Sequence, residues 1–249
     1  MKRLFWSILP VLLLALALPA CTAATPGGMT SVRVATDATW PPFEYINEQT
    51  KQVEGFSIDL LNAVAGKAGL QIDLINVGFD PLLAGIAQCQ YDAAISSITI
   101  TEDRAKEMLF SDPYFAAGQI VTVRKDESTI KSKDDLGGKV VGAQIGTTGS
   151  IEIGKIPGAA LKTYDDIGLA FQDLMNKQID AVVADNPLAM GYVGENEDTL
   201  KMVGQVFTEE NYGIAVCKSK ADLLNKINAG LKSVRDEGLI DLLVIKWLQ

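Results

Sequence analysis

Residues 91–97 read YDAAISS and residues 179–185 read IDAVVAD. Both are strand-like runs with an aspartate second and an alanine third, and each follows an amphipathic stretch of helical period, LLAGIAQ or LAFQDLM. Superposed, they set Ser97 on Asp185, each at the carboxyl end of its strand. Outward from the first run, SVRVAT (31–36) and QIDLINV (71–77) are strand candidates, and GFSIDLLNAVAGKAGL between them places Ile58, Leu61 and Ala65 on one helical face. Outward from the second, GKVVGAQ (138–144) and LKTYDD (161–166) read as strands, while GTTGSIEI and IGLAFQDLMNK read as helices. Strand and helix alternate through both halves, so the economical fold is α/β, with parallel βαβ units in two similar halves. Ligands of open α/β sheets sit beyond the carboxyl ends of the strands, which predicts a cleft between Ser97 and Asp185.

The chain opens MKRLFWSILPVLLLALALPAC. Lys2 and Arg3 precede an apolar run to Ala20, the layout of a secretory signal over residues 1–20. The ending LPAC resembles a bacterial lipobox, which implies lipidation of Cys21 and anchoring to the membrane as a lipoprotein. Pro19 departs from that pattern, whose position is normally small or aliphatic; an uncleaved anchor or a plain secreted signal are the alternatives. All three place the folded part outside the cytoplasmic membrane, in a periplasm or on the outer cell surface. Residues 21–30 are small, polar and Gly/Pro-bearing and read as a tether.

Without the signal, 20 basic residues face 31 acidic ones, a formal charge of −11 that argues against nucleic acid as a partner. The chain has no histidine, which removes Ser-His-Asp and Cys-His machinery and the commonest zinc ligand; no metal and no cofactor are expected. Near the C-terminus, Ser219 and Asp222 read as a capping box for a helix with the stripe Leu224, Ile227, Leu231 and Val234, closed by Gly238. The final IDLLVIKWLQ is interrupted by Asp241 and Lys246 and is too short to span a bilayer.

Residues 95–104, ISSITITEDR, set the hydroxyls of Ser96, Ser97, Thr99 and Thr101 just before Arg104. Taken alone, they are either a strand exit and helix cap or a set of groups converging on a small ligand that carries an ammonium and a carboxylate. Thr101 reads as a helix N-cap in both cases. Asp185 likewise either caps the helix opening at Asn186-Pro187 or faces a ligand.

TDATWPPFEY, VEGFSIDLLNAVA, YDAAISSITITEDRAKEMLFSDPYF, KVVGAQIGTTG, IDAVVADNP and NYGIAVCK resemble, in order and spacing, the polar amino-acid-binding proteins of ABC importers, solute-binding protein family 3. The resemblance covers residues 31–249. It implies a two-lobed periplasmic-binding-protein-like fold of type II: a large lobe of residues 31–113 plus 213–249, a small lobe of 119–207, and hinge strands near 114–118 and 208–212. It further implies that Arg104 clamps a ligand α-carboxylate with its planar fork, assisted by backbone and hydroxyl groups of Gly146, Thr147 and Thr148. Asp185 would receive the ammonium, with the Thr99 hydroxyl and the Ser97 carbonyl, and Ser96 would lie alongside. Asp37, Trp40 and Phe79 would line the pocket for the ligand's side chain, with Gln144 at another specificity position. Two aromatic faces ending in a carboxylate favour arginine, with glutamine next. Ser57 counts against a basic ligand, because relatives usually carry aspartate there.

In such a fold the strand of YGIAVCK runs antiparallel beside that of YDAAISS, which makes a Cys89–Cys217 disulfide the expectation in an oxidising compartment. The function implied is capture of a free amino acid by hinge closure and delivery to an ABC permease, by a monomer. The rivals are a ligand sensor acting with a separate signalling partner and a dehydratase on the same fold. The dehydratase would need a general acid in the cleft.

Overall fold

The computed structural model describes residues 30–248. The signal over 1–20, the lipid on Cys21 and the tether up to residue 29 lie outside the described residues. Thr30, read from sequence as the tether's end, instead opens the first strand.

Two five-stranded sheets carry the chain. The first orders Leu70–Asn76, Thr30–Thr36, Ala93–Ala94, Ala215–Val216 and Leu109–Phe110. Its first three strands are parallel, and the fourth runs antiparallel to both neighbours. The second orders Ala160–Tyr164, Val140–Gln144, Ala181–Asp185, Gln119–Arg124 and Leu200–Val203, with the same succession of directions. The weak echo between the halves is therefore one topology used twice. Ala93 pairs with Val34 as Ala181 pairs with Val141, which leaves Ser97 and Asp185 in corresponding places. Asp37 and Gln144 correspond too, each three residues beyond its valine.

The helices form where the apolar period predicts them. Phe56–Ala68 buries Phe56, Ile58, Leu60, Leu61, Val64 and Ala65, and Ile167–Met175 buries Ile167, Ala170, Phe171 and Leu174. Each fully buried side chain of this kind contributes roughly 1.5–3 kcal/mol. At the C-terminus, Ala221–Asp236 buries Ile227, Leu231 and Val234. The expected Ser219 cap does not form: the helix starts a residue later, after Lys220, and the Ser219 hydroxyl lies 3.0 Å from Cys217 Sγ. Cys217 is itself joined to Cys89, with a Cα–Cα distance of 4.9 Å. The last helix, Leu239–Leu248, is fixed by Trp247 Nε1 donating to Asp59 at 2.8 Å. Among the described residues no helix is long and apolar enough to cross a membrane.

Two short strands, Phe115–Ala117 and Glu210–Tyr212, pair antiparallel where the chain passes between the sheets. Phe115 and Tyr212 pack on Phe43 with ring centroids 5.1 and 5.7 Å away, so the crossing is rooted in the first sheet's core. Gly118 follows directly, and a Cβ there would lie 2.2 Å from the Thr208 carbonyl oxygen. Only glycine lets the two crossing segments approach this closely.

Candidate functional site

Arg104 stands on a short helix, Glu102–Glu107, whose N-cap Thr101 accepts from the Arg104 backbone N–H at 3.2 Å. One guanidinium nitrogen donates to the Thr99 carbonyl at 2.7 Å and the other to the Gly146 carbonyl at 2.9 Å. The group thus ties the carboxyl ends of the two sheets together, 5.5 Å from the centre of the Phe79 ring. Gly146 meets it in a left-handed turn, φ 78°, where a side chain would crowd Asp80. The next residue, Thr147, caps the helix Thr148–Gly154: its hydroxyl donates to the Gln144 carbonyl at 2.7 Å and accepts from Ser150 N–H at 3.3 Å. That hydroxyl is consumed by the turn, so Thr147 offers the cleft only backbone.

Asp185 ends its strand 2% exposed. It accepts from Tyr212 Oη at 2.5 Å and from Gln119 Nε2 at 2.6 Å. Burial, and next the nearby Glu210 carboxylate, push its carboxyl up to about 7, against the hydrogen bonds and Arg104. Glu210 completes the cluster from the crossing strand. One of its oxygens accepts from Thr99 Oγ1 at 2.7 Å and Thr148 Oγ1 at 2.8 Å; the other accepts from Thr208 Oγ1 at 2.8 Å and Gln119 Nε2 at 3.1 Å.

The other end of the cleft holds Asp37, Trp40, Phe79 and Gln144, all buried. Gln144 donates to Asp37 Oδ2 at 2.7 Å and accepts from the Trp40 indole N–H. Trp40 belongs to the first half in sequence, yet its ring packs with Ile167, Phe171 and Leu188 of the second. It lies nearly parallel to Phe79, centroids 6.4 Å apart and planes 24° from each other. Burial raises the Asp37 carboxyl to about 6, against the Gln144 hydrogen bond. Ser96 supports this end from behind: its hydroxyl accepts from the Asp37 N–H at 2.9 Å.

Ser97 is brought to the cleft rim in a left-handed conformation, φ 48°, but its side chain turns inward. There the Glu44, Ser57, Ser97 and Tyr114 polar atoms are buried together without hydrogen-bond geometry to any partner. Burial drives the Glu44 carboxyl up to about 8, against the nearby Ser57 and Ser97 hydroxyls. Ser57 lies under Glu44 and Tyr114, where a second acid would add to an already buried one.

The structure therefore gathers Asp37, Trp40, Phe79, Thr99, Arg104, Gln144, Thr148 and Asp185 around one cleft, with Ser96, Ser97 and Thr147 directly behind it. Four participants escape the sequence reading: Gln119, Glu210, Tyr212 and Glu44. The signal for Glu210 was its place directly before the NYGIAVCK motif, but in sequence TEEN reads as an ordinary acidic loop. Glu44 lies inside the quoted TDATWPPFEY, where its burial is invisible.

Residues 32–249 match the family of bacterial extracellular solute-binding proteins, family 3. The L-cystine-binding protein TcyJ of Escherichia coli K12 is 32% identical over 216 residues, 86% of this chain and 81% of that protein. An ancestral arginine-binding protein bound to arginine superposes with a TM-score of 0.85 at 40% identity, over 89% of this chain and 100% of the other. An ancestral arginine-binding protein bound to glutamine gives 0.83 at 41% identity, over 87% and 97%. With the same two-lobed fold and matching sequence along nearly the whole described chain, this protein belongs to the bacterial extracellular solute-binding proteins, family 3.

Proposed function

We propose that the chain captures a polar amino acid outside the cytoplasmic membrane, arginine first and glutamine next, and delivers it to an ABC permease. The observation that carries the choice is the charge of the cleft. Asp37, Asp185 and Glu210 line it beside the Arg104 guanidinium, and burial holds the two aspartates above their ordinary range, so a ligand cation is favoured beside each. An arginine zwitterion supplies two positive charges and one negative. Its α-carboxylate would take the Arg104 fork, now shared by the Thr99 and Gly146 carbonyls, and its ammonium would neutralise Asp185. Its guanidinium would approach Asp37 between Trp40 and Phe79, whose 6.4 Å spacing must widen slightly to give a planar group about 3.5 Å on each face. Glutamine's amide can replace Gln144 on Asp37 without the second charge.

Binding and closure are one event in this reading. The large lobe (31–113 plus 213–249) and small lobe (119–207) separate about the crossing segments 114–118 and 208–212. The bonds from Arg104 to Gly146 and from Gln144 to Asp37 cross the cleft and would be exchanged for ligand contacts. The lipobox-like LPAC supports a tether through Cys21 that keeps the monomer near its permease. Isothermal titration calorimetry of the mature chain, stripped of ligand by unfolding and refolding, against the twenty amino acids tests the reading. Saturable binding of arginine, with glutamine weaker, is expected; binding by none of the twenty overturns it.

A further inference from the structure

A hydroxyl group has one proton to give. Thr99 and Thr148 approach from opposite sides of the cleft, and each lies within donating distance of the same Glu210 oxygen, at 2.7 and 2.8 Å. A carboxylate can only accept, so both protons are committed to it. Gln119 Nε2 lies 2.6 Å from Asp185 and 3.1 Å from both Thr148 Oγ1 and Glu210, and shares its two protons among the three. Glu210 is itself held by three hydroxyl donors, Thr99, Thr148 and Thr208, and is 8% exposed, so its position is fixed by the fold rather than by the solvent. Apart from the Arg104 guanidinium, which meets the Thr99 carbonyl, the polar features left at this end of the cleft are the lone pairs of Thr99 and the carboxylates of Asp185 and Glu210, all of them acceptors.

We infer that Glu210 is a specificity-determining residue: it fixes both threonine hydroxyls as acceptors and adds a second carboxylate beside Asp185, so that the Asp185 corner demands a protonated amine and leaves the ligand's acid group to Arg104. The inference rests on the amino-acid-binding reading above. It reassigns Thr148, whose hydroxyl donates to Glu210 and has no proton for a ligand carboxylate. Glu210 acts partly through the threonines, as a positioning residue, and partly through its own charge. Without it, either hydroxyl can rotate and donate, and the preference for an amine at this corner weakens.

The test compares L-arginine with its desamino analogue, 5-guanidinopentanoate, on the wild-type chain and on Glu210→Gln, by calorimetry and by displacement of bound arginine. Glu210→Gln is expected to weaken arginine at least about tenfold and the desamino analogue less than about threefold, because only arginine presents an amine. Equal weakening of both ligands, or no change in either, overturns the assignment, since a merely structural role would not distinguish them. If Glu210→Gln fails to fold, Glu210→Asp decides by the same comparison: it keeps the charge but cannot reach both hydroxyls, and a loss larger for arginine supports the inference while an equal loss overturns it. If the wild type prefers another amino acid, that amino acid and its own desamino analogue take the same places. Failure of the wild type to bind any amino acid is the distinct result that removes the cargo reading and this inference with it.

Discussion

Ser97 and Asp185 occupy corresponding places in two sheets of one topology, as do Asp37 and Gln144, yet each pair has diverged. Asp185 faces the cleft as a buried carboxylate with two donors, whereas Ser97 offers its backbone and turns its hydroxyl toward Glu44. Asp37 and Gln144 bond to each other across the cleft. The small half contributes the left-handed turn at Gly146 and the large half contributes Arg104. A doubled scaffold with identical ends would recognise a symmetrical ligand. These unequal ends suit a molecule with an acid at one point and an amine at another.

The halves also differ in how they are held together, and the largest expected effect comes from there. The Cys89–Cys217 bond joins two positions 128 residues apart within the first sheet's half. In the chain-entropy model a loop that long is worth about 4–5 kcal/mol. The double variant Cys89→Ser/Cys217→Ser should lose stability of that order in urea melts while its ligand affinity stays within about twofold, because the bond does not cross the cleft. A large loss of affinity would show that the two halves are not independent in this respect.

Arg104 should prove the costliest cleft residue. Arg104→Ala removes two charge-assisted bonds to a ligand carboxylate, each about 1.5–3 kcal/mol, and calorimetry should show a loss of at least a hundredfold. The corresponding pair then sharpens the comparison. Asp185→Asn should weaken binding about a hundredfold, whereas Ser97→Ala should cost less than about threefold, because the Ser97 hydroxyl has no ligand-facing partner to lose. Comparable losses at both positions would mean that the halves act alike after all.

The smallest effect concerns pH. The Asp185 carboxyl sits near 7 and Asp37 near 6 in the unliganded site, both raised by burial. A cationic ligand pairs with the ionised forms, so its binding must expel any proton held there. Affinity for arginine is therefore expected to be greatest near pH 8, where the carboxyls are ionised and the ligand ammonium is still protonated, and to fall about tenfold by pH 6, with proton release measurable by titration in buffers of different ionisation enthalpy. Affinity that rises on acidification would show that the raised carboxyls are not the ligand's partners.

Much of this molecule was legible in linear order. The 3.6-residue stripes of Phe56–Ala68 and Ile167–Met175 placed the helices, because burial of one face is a local pattern. The echo of YDAAISS and IDAVVAD pointed to both carboxyl ends of the sheets. Arg104 stood beside a hydroxyl-rich strand exit, which alone left its role open, and the resemblance carried by the linked motifs implied its ligand and its partner across the cleft.

What escaped depends on long-range contact. Thr99 and Glu210 are 111 residues apart, and no local pattern shows that they share a proton. Ser96, Ser97 and Thr147 carry the expected residue types, but backbone geometry turns their hydroxyls to a support, a buried pocket and a cap. The Ser219 hydroxyl lies beside Cys217 Sγ, and the helix begins after Lys220 instead. The sequence alone determined the fold class, the doubled topology and the chemical kinds of group available, because these depend on composition and period. Only the tertiary structure decided which way each hydroxyl proton points and which carboxylate stands beside which. Those outcomes depend on distances of about 3 Å between segments a hundred residues apart, and a chain acquires them only by folding.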